Sequence, residues 1–237
     1  MMEHGELPPS CEETEARLEP PEMEEFSRYV SELTVESYRI SEGHTNEIGW
    51  YTPGQVQEIN PEAAEFDPEL QELRRELDSW IPQGEQMSCA VACQTMVMNQ
   101  LTGEGYTEQQ LLDIGKQNGW YDDGTWGYDI GKIAEHLGME VEQRSGVEAS
   151  ELTLANDPET KVLATVDCLL LNYSGSERIC DPNHVVQVLR VENTRQGTFV
   201  ILNDPGQDEG CGAVYALEDF QKAYQGDITI IRKAENA

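Results

Sequence analysis

Residues 83–101, QGEQMSCAVACQTMVMNQL, decide the fold. From Cys89 to Leu101 nearly every position is apolar or a strong helix former, so the segment reads as a helix buried on all sides. Ser88 is its natural N-cap and Gly103 the residue just past its C-terminus. Cys89 then stands at the first helical position, beside backbone N–H groups with no partner inside the helix and at the positive end of the dipole. That setting favours the thiolate and makes a cysteine nucleophilic. The competing reading makes Cys89 a small core residue, as Cys93 and Met96 are further along the same inward stripe.

Working outward toward the N-terminus, Asp67-Pro68 is an N-cap with proline at the first helical position. Leu70, Leu73, Leu77 and Trp80 follow at helical spacing until Pro82 stops the run. The pattern predicts an amphipathic helix over 67–79 that docks on the core. Residues 1–80 hold 21 acids and 5 bases, against 25 and 10 in residues 81–237. Residues 1–66 therefore read as an acidic, largely disordered N-terminal region, Glu- and Pro-rich over 1–25. A short helix is predicted there over Glu24–Ser41, with Phe26, Tyr29, Val30 and Leu33 on one face. Residues 67–237 read as one folded domain.

Toward the C-terminus, Thr107-x-x-Gln110 is a capping box opening a second helix that ends at Gly119. A third helix is predicted from Tyr128 to Leu137, closed by Gly138. The apolar period then changes from 3.6 to 2. Met139–Gln143, Lys161–Leu171, His184–Val191, Thr198–Asn203 and Ile228–Arg232 read as strands, with a short helix over Leu217–Tyr224. Helices first and strands afterwards predict an α+β fold, a helical half with a buried nucleophile helix packed on a mostly antiparallel sheet.

Composition narrows the function classes. The 237 residues carry 46 acids and 15 bases, a formal charge of −31. Such a chain repels phosphate backbones and anionic membrane surfaces, which argues against nucleic-acid and membrane partners. No apolar run approaches the ~18 residues of a membrane span. The first thirty residues show no signal-peptide core, which leads to the expectation of a cytoplasmic protein unless another route exports it. The six cysteines form neither a disulfide framework nor paired zinc spacings, so each is read as a free thiol. Cys168, Cys180, Cys211 and His184 match no zinc pattern, Asp122 and Asp123 no calcium loop, and no metal is assigned.

A nucleophilic thiol needs a base, and the base an orienting partner. His184 opens the strand HVVQVLRV, and the next strand, TFVILND, ends at Asp204. The short Asn- and Gly-bearing connection 193–197 makes the two a hairpin. With a turn centred near 194–195, His184 and Asp204 lie at one end of it, within about one residue pair of each other. Acyl transfer also needs donors for a developing oxyanion. Gln83, on the loop into the helix, and the Cys89 N–H are the natural pair, with Gln86 a weaker candidate.

The ordered set Gln83-x5-Cys89, His184-Val-Val and Asn203-Asp204-Pro205 resembles the papain-like cysteine peptidases over residues 80–233. Within them it is most similar to the bacterial branch of bacteriocin-processing, double-glycine leader peptidases. The resemblance implies a papain-like fold and peptide-bond hydrolysis without a cofactor. It makes Cys89 the nucleophile, His184 the general base and acid, Asp204 the orienting residue and Gln83 the oxyanion donor. Asn203 is the alternative orienting residue, as in other papain-like branches. The chain departs from that branch in reading Ser88-Cys89-Ala90 where Asp-Cys-Gly is usual, and in its acidic first eighty residues. A peptide or protein is the implied substrate. Acyl transfer to an amine and a non-catalytic peptide-binding module are the alternatives, and retention of all four residue types argues against the second. The loop Gly119–Tyr128, dense in glycine and aromatics, reads either as a substrate-cleft wall carried by Trp120, Gly124 and Trp126 or as a tightly packed interhelical loop.

Overall fold

The computed structural model describes residues 34–35, 38–41, 43–45, 51–172, 184–194 and 197–234. Its strands are β1 (Thr34–Val35), β2 (Tyr38–Ile40), β3 (His44–Thr45), β4 (Tyr51–Thr52) and β5 (Gly54–Ile59), then β6 (Met139–Arg144), β7 (Lys161–Val166), β8 (His184–Thr194), β9 (Gly197–Asn203), β10 (Ala213–Ala216) and β11 (Tyr224–Lys233). The α-helices are α1 (Pro61–Phe66), α2 (Pro68–Asp78), α3 (Cys89–Thr102), α4 (Glu108–Asn118), α5 (Lys132–His136), α6 (Cys168–Asn172) and α7 (Leu217–Ala223). Nine strands form one sheet in the order β1-β2-β5-β10-β9-β8-β7-β11-β6, with antiparallel neighbours throughout, while β3 and β4 form a separate ladder.

The two-residue period of the strands divides the core between the faces of the sheet. Val162, Ala164 and Val166 of β7, with Val186 and Val188 of β8, pack beneath Leu152 and Phe220 on one face. Leu163, Val185 and Ile231 point the other way, onto α3, α4 and α5. Beside them Leu70 and Leu73 of α2 cover Leu189, Phe199, Ile201 and Val214. Helix α3 is buried on nearly every side, as its composition predicts, and ends at Gly103 in the left-handed conformation. The capping box of Thr107 and Gln110 is formed, and Asp67 accepts from the Glu69 and Leu70 amides at the start of α2.

Four expectations need correction. The helix predicted over Glu24–Ser41 lies partly outside the described residues, and its described end is extended, as β1 and β2. The sheet does not stop at residue 67: β5 pairs with β10 through Ala213↔Gln55 and Val214↔Gly54, and β2 pairs with β5. The strand predicted over Lys161–Leu171 ends at Val166. There Asp167 Oδ1 accepts from the Leu169 and Leu170 amides at 3.0 and 3.3 Å, which starts α6. The helix over Tyr128–Leu137 is divided into a 3-10 turn and α5 by Gly131, whose φ of 93° no helix accommodates.

One buried cluster ties α2 to the sheet. Lys161 Nζ, at the start of β7, donates to Glu72 Oε1 at 2.5 Å and Glu76 Oε1 at 2.7 Å, all three side chains being buried. Arg75 pairs with the other oxygen of Glu72 at 2.6 Å. Burial pushes the Glu76 carboxyl above its ordinary range, against the pull of Lys161. No helix among the described residues is long and apolar enough to cross a membrane.

Candidate active site

The site forms where the N-terminus of α3 meets the end of the β8–β9 hairpin. The hairpin pairs Thr194 with Gly197, and Leu189 is an extra residue between the paired Val188 and Arg190. That bulge shifts the register, so continuing the ladder past Gln187↔Asn203 sets His184 across from Gly206 rather than Asp204. Asp204, one residue beyond β9, turns its side chain back instead. Its Oδ1 lies 2.6 Å from His184 Nε2 and accepts from the Gly206 amide at 2.7 Å. Gln207 Nε2 reaches Oδ2 at 3.4 Å and is itself held by Asn172, which also accepts from the Tyr215 hydroxyl at 3.2 Å.

With Nε2 committed to Asp204, the other ring nitrogen of His184 is the one left for Cys89, whose thiol is close enough to act on the charge of the imidazole. Cys89, His184 and Asp204 are thus brought together. Cys89 and His184 are each 8% exposed and Asp204 is fully buried. Burial alone would push the imidazole down. The Asp204 carboxylate, by charge and hydrogen bond, and then Cys89 outweigh it and hold His184 well above its ordinary value. Cys93 lies one turn below, donating to the Val185 carbonyl at 3.4 Å, and burial raises its thiol far out of reach.

Asn203 is engaged elsewhere. Its Nδ2 donates to the Glu76 carbonyl at 2.9 Å and its Oδ1 accepts from the Gly212 amide at 3.0 Å. Of the two orienting candidates, Asp204 is the one that touches the imidazole. Trp80 Nε1 donates to the Asp204 carbonyl at 3.0 Å and the Gln83 amide to the Pro205 carbonyl at 2.8 Å, so the segment before α3 is sewn to the loop after β9.

Gln83 reaches the loop as read from the sequence, but its side chain turns inward on it. Nε2 donates to the Glu85 and Gln86 carbonyls at 3.0 and 2.7 Å, and Oε1 has no partner among the described residues. Gln86 contributes only its carbonyl. Of the aromatic wall, Trp120 packs on the helical core with its ring against His136, 5.6 Å between centroids. Trp126 lies parallel to Tyr128, 70% and 67% exposed, and Gly124 adjoins Met87, which is 46% exposed. Met87, Trp126 and Tyr128 are the exposed large hydrophobic residues among the described ones, and Met87 is two positions from Cys89.

Gly206 escaped the sequence reading. A Cβ there would come within 2.8 Å of His184 Cε1 and 3.2 Å of Asp204 Oδ1, so the pair closes only over a residue without a side chain. The one signal was Gly after Asp204-Pro205, which reads as turn chemistry. Among the described residues no group of three or more His, Cys, Asp or Glu is placed to hold a metal ion, and Cys11 and Cys180 lie outside them.

The fold has solved counterparts. The peptidase domain of Streptococcus ComA, a bi-functional ABC transporter of a quorum-sensing pathway, matches with a TM-score of 0.50 at 19% identity, over 65% of this chain and 98% of that one. The chain has a papain-like peptidase fold. Two further matches to this papain-like domain have lower scores. A double-glycine-motif protease from an AMS/PCAT transporter, solved with its leader peptide, gives 0.47 at 18% identity over 65% and 91% of the two chains. The peptidase domain of Streptococcus mutans ComA gives 0.41 at 18% identity over 65% and 98%. No family model and no curated protein matches the sequence.

Proposed function

We propose that this chain is a cysteine peptidase that hydrolyses peptide bonds. The observation that carries the reading is the His184 ring held between the buried Asp204 carboxylate and the Cys89 thiol at the start of a buried helix. In this mechanism Cys89 gives its proton to His184 and attacks the substrate carbonyl. The oxyanion that forms faces the Cys89 N–H. His184, kept protonated by Asp204, then passes its proton to the leaving amine. A water that His184 deprotonates releases the acyl group, and the thiol is regenerated. No cofactor takes part in these steps.

Gln83 is the second oxyanion donor in this reading. Both of its amide hydrogens now bind loop carbonyls, so one of those bonds must be exchanged for the oxyanion during turnover. The substrate is a peptide or protein whose side chains pass over Met87, Gly124 and Trp126. The same inward turn of Gln83 favours a second reading, a peptide-binding module with this fold that does not turn over.

The experiment is mass-spectrometric detection of cleavage in a peptide library, with wild type beside Cys89→Ala. Cleavage that disappears in Cys89→Ala is the expected result. Binding of peptides without any cleavage would replace the peptidase reading with the second one.

A further inference from the structure

The peptidase reading leaves unexplained how the first turn of α3 stays open to an oxyanion. A buried serine at the N-cap would ordinarily turn its hydroxyl onto the helix amides and close them. Ser88 holds that position, yet its side chain makes no capping bond. Its hydroxyl points away, accepting from the Glu85 amide at 3.1 Å and facing two acceptors for its one proton, Glu108 Oε1 at 2.6 Å and the Glu85 carbonyl at 2.9 Å. The Val91 and Ala92 amides are served by the Ser88 carbonyl, both at 2.9 Å. An N-cap side chain would serve the Ala90 or Val91 amide, so α3 starts without a side-chain cap, and the Cys89 amide ahead of them lies outside the reach of any such cap.

The carboxylate that diverts Ser88 comes from a different element. Glu108 is the first residue of α4, and its second oxygen accepts from the Gly84 amide at 2.7 Å. Gly84 permits this approach, since a Cβ there would lie 2.7 Å from that oxygen. The far end of α4 grips the same loop. Lys116 Nζ lies 3.0 Å from Glu85 Oε1, and the Tyr121 hydroxyl donates to Glu85 Oε2 at 2.9 Å. The loop 83–88, which carries Gln83 and delivers Cys89, is therefore braced along its length by α4 and the turn that follows it.

We infer that Glu108 is a positioning residue of the proposed peptidase: its carboxylate holds the Ser88 hydroxyl and the Gly84 amide together, fixing the loop that carries Gln83 and delivers the Cys89 amide to the oxyanion. Glu108 touches no reacting atom in this account. Its removal releases Ser88 and Gly84 and so loosens the loop, which weakens oxyanion binding and leaves the Cys89–His184–Asp204 pairing in place. The inference rests on the peptidase reading.

The test compares Glu108→Ala, Glu108→Gln, Ser88→Ala and the Glu108→Ala/Ser88→Ala double variant in peptide hydrolysis and in Cys89 alkylation at pH 6. Glu108→Ala is expected to lose about 10- to 100-fold in kcat, less than the roughly 100- to 1000-fold of a deleted oxyanion donor because the donors are kept and only misplaced, with KM changed less than about 3-fold and alkylation unchanged. Glu108→Gln, which retains an acceptor oxygen, recovers most of the rate. The double variant falls well short of the product of the single losses, because the two side chains act as a unit. Wild-type kcat in Glu108→Ala would overturn the inference, as would a kcat loss matched by an equal loss of alkylation rate, which marks a merely structural role. A wild type that cleaves nothing overturns the peptidase reading and this inference with it, whereas a cleaving wild type with an equally active Glu108→Ala overturns this inference alone.

Discussion

Replacing Gly206 by alanine adds one methyl group at the back of the His184 ring. The backbone tolerates the change, because Gly206 is not among the residues with positive φ. The contacts do not tolerate it: the new Cβ would sit 2.8 Å from His184 Cε1, 3.1 Å from Nε2 and 3.2 Å from Asp204 Oδ1. Restoring an ordinary carbon contact requires the ring to retreat by about 0.7 Å. Such a shift stretches the 2.6 Å His184–Asp204 bond to the limit of a useful N–H···O interaction. It also misplaces the imidazole against Cys89. A displacement of this size costs about 100-fold in rate, or about 2.7 kcal/mol of transition-state stabilisation. The assay is kcat/KM against pH on a cleavable peptide, with thermal unfolding alongside to show that the fold persists. With Asp204 holding the ring less firmly, the alkaline limb of the profile also moves to lower pH. A Gly206→Ala variant with wild-type kcat/KM and an unmoved alkaline limb would refute the reasoning.

Asp204→Asn keeps a hydrogen-bonding side chain and removes the charge that raises His184, so the imidazolium is lost at lower pH. The alkaline limb of kcat/KM is expected to move to lower pH, and an unmoved limb counts against Asp204 as the source of the shift. Lys161→Met strips the buried Glu76 carboxylate of its cation and leaves Glu72 with Arg75 alone, and is expected to destabilise by about 3–5 kcal/mol in urea unfolding at pH 7. Without the lysine the folded state binds more protons than the unfolded one, so the deficit shrinks as pH falls; a deficit independent of pH contradicts the assignment. Trp126→Ala removes an exposed ring from the loop that adjoins Met87 through Gly124 and is expected to raise KM about 3- to 10-fold with kcat and Cys89 alkylation unchanged, as loss of uniform binding does. An unchanged KM across a peptide library would take Trp126 off the substrate path.

The parts of this molecule that were legible in its sequence are those governed by local rules. The apolar composition of Cys89–Leu101, the Thr107–Gln110 capping box and the Asp67-Pro68 start each set an element within a residue or two of its place. The meeting of His184 with Asp204 followed from a hairpin with a short turn, although the extra residue Leu189 shifts the ladder beneath it. No local pattern announces a bulge inside an apolar strand. Long-range pairings were equally silent: β5 finds β10 across some 150 residues, and in an acidic segment of low apolar content nothing marks such a strand. Asp167 reads as one polar residue in an apolar run until its carboxylate is seen starting α6. Gly206 and Glu108 matter through what they face, one the His184 ring and the other Ser88, twenty residues away on the preceding helix.

The most direct test of the central claim is the pH-dependent alkylation rate of each cysteine by iodoacetamide, read by mass spectrometry in wild type and His184→Ala. Cys168 and Cys211 are more exposed than Cys89, so accessibility alone would make them react first. The account predicts that Cys89 nevertheless labels fastest below about pH 7 and loses this advantage when the histidine is removed. A Cys89 that reacts no faster than Cys168 and Cys211, and with the same rate in His184→Ala, would contradict an activated thiol–imidazole pair.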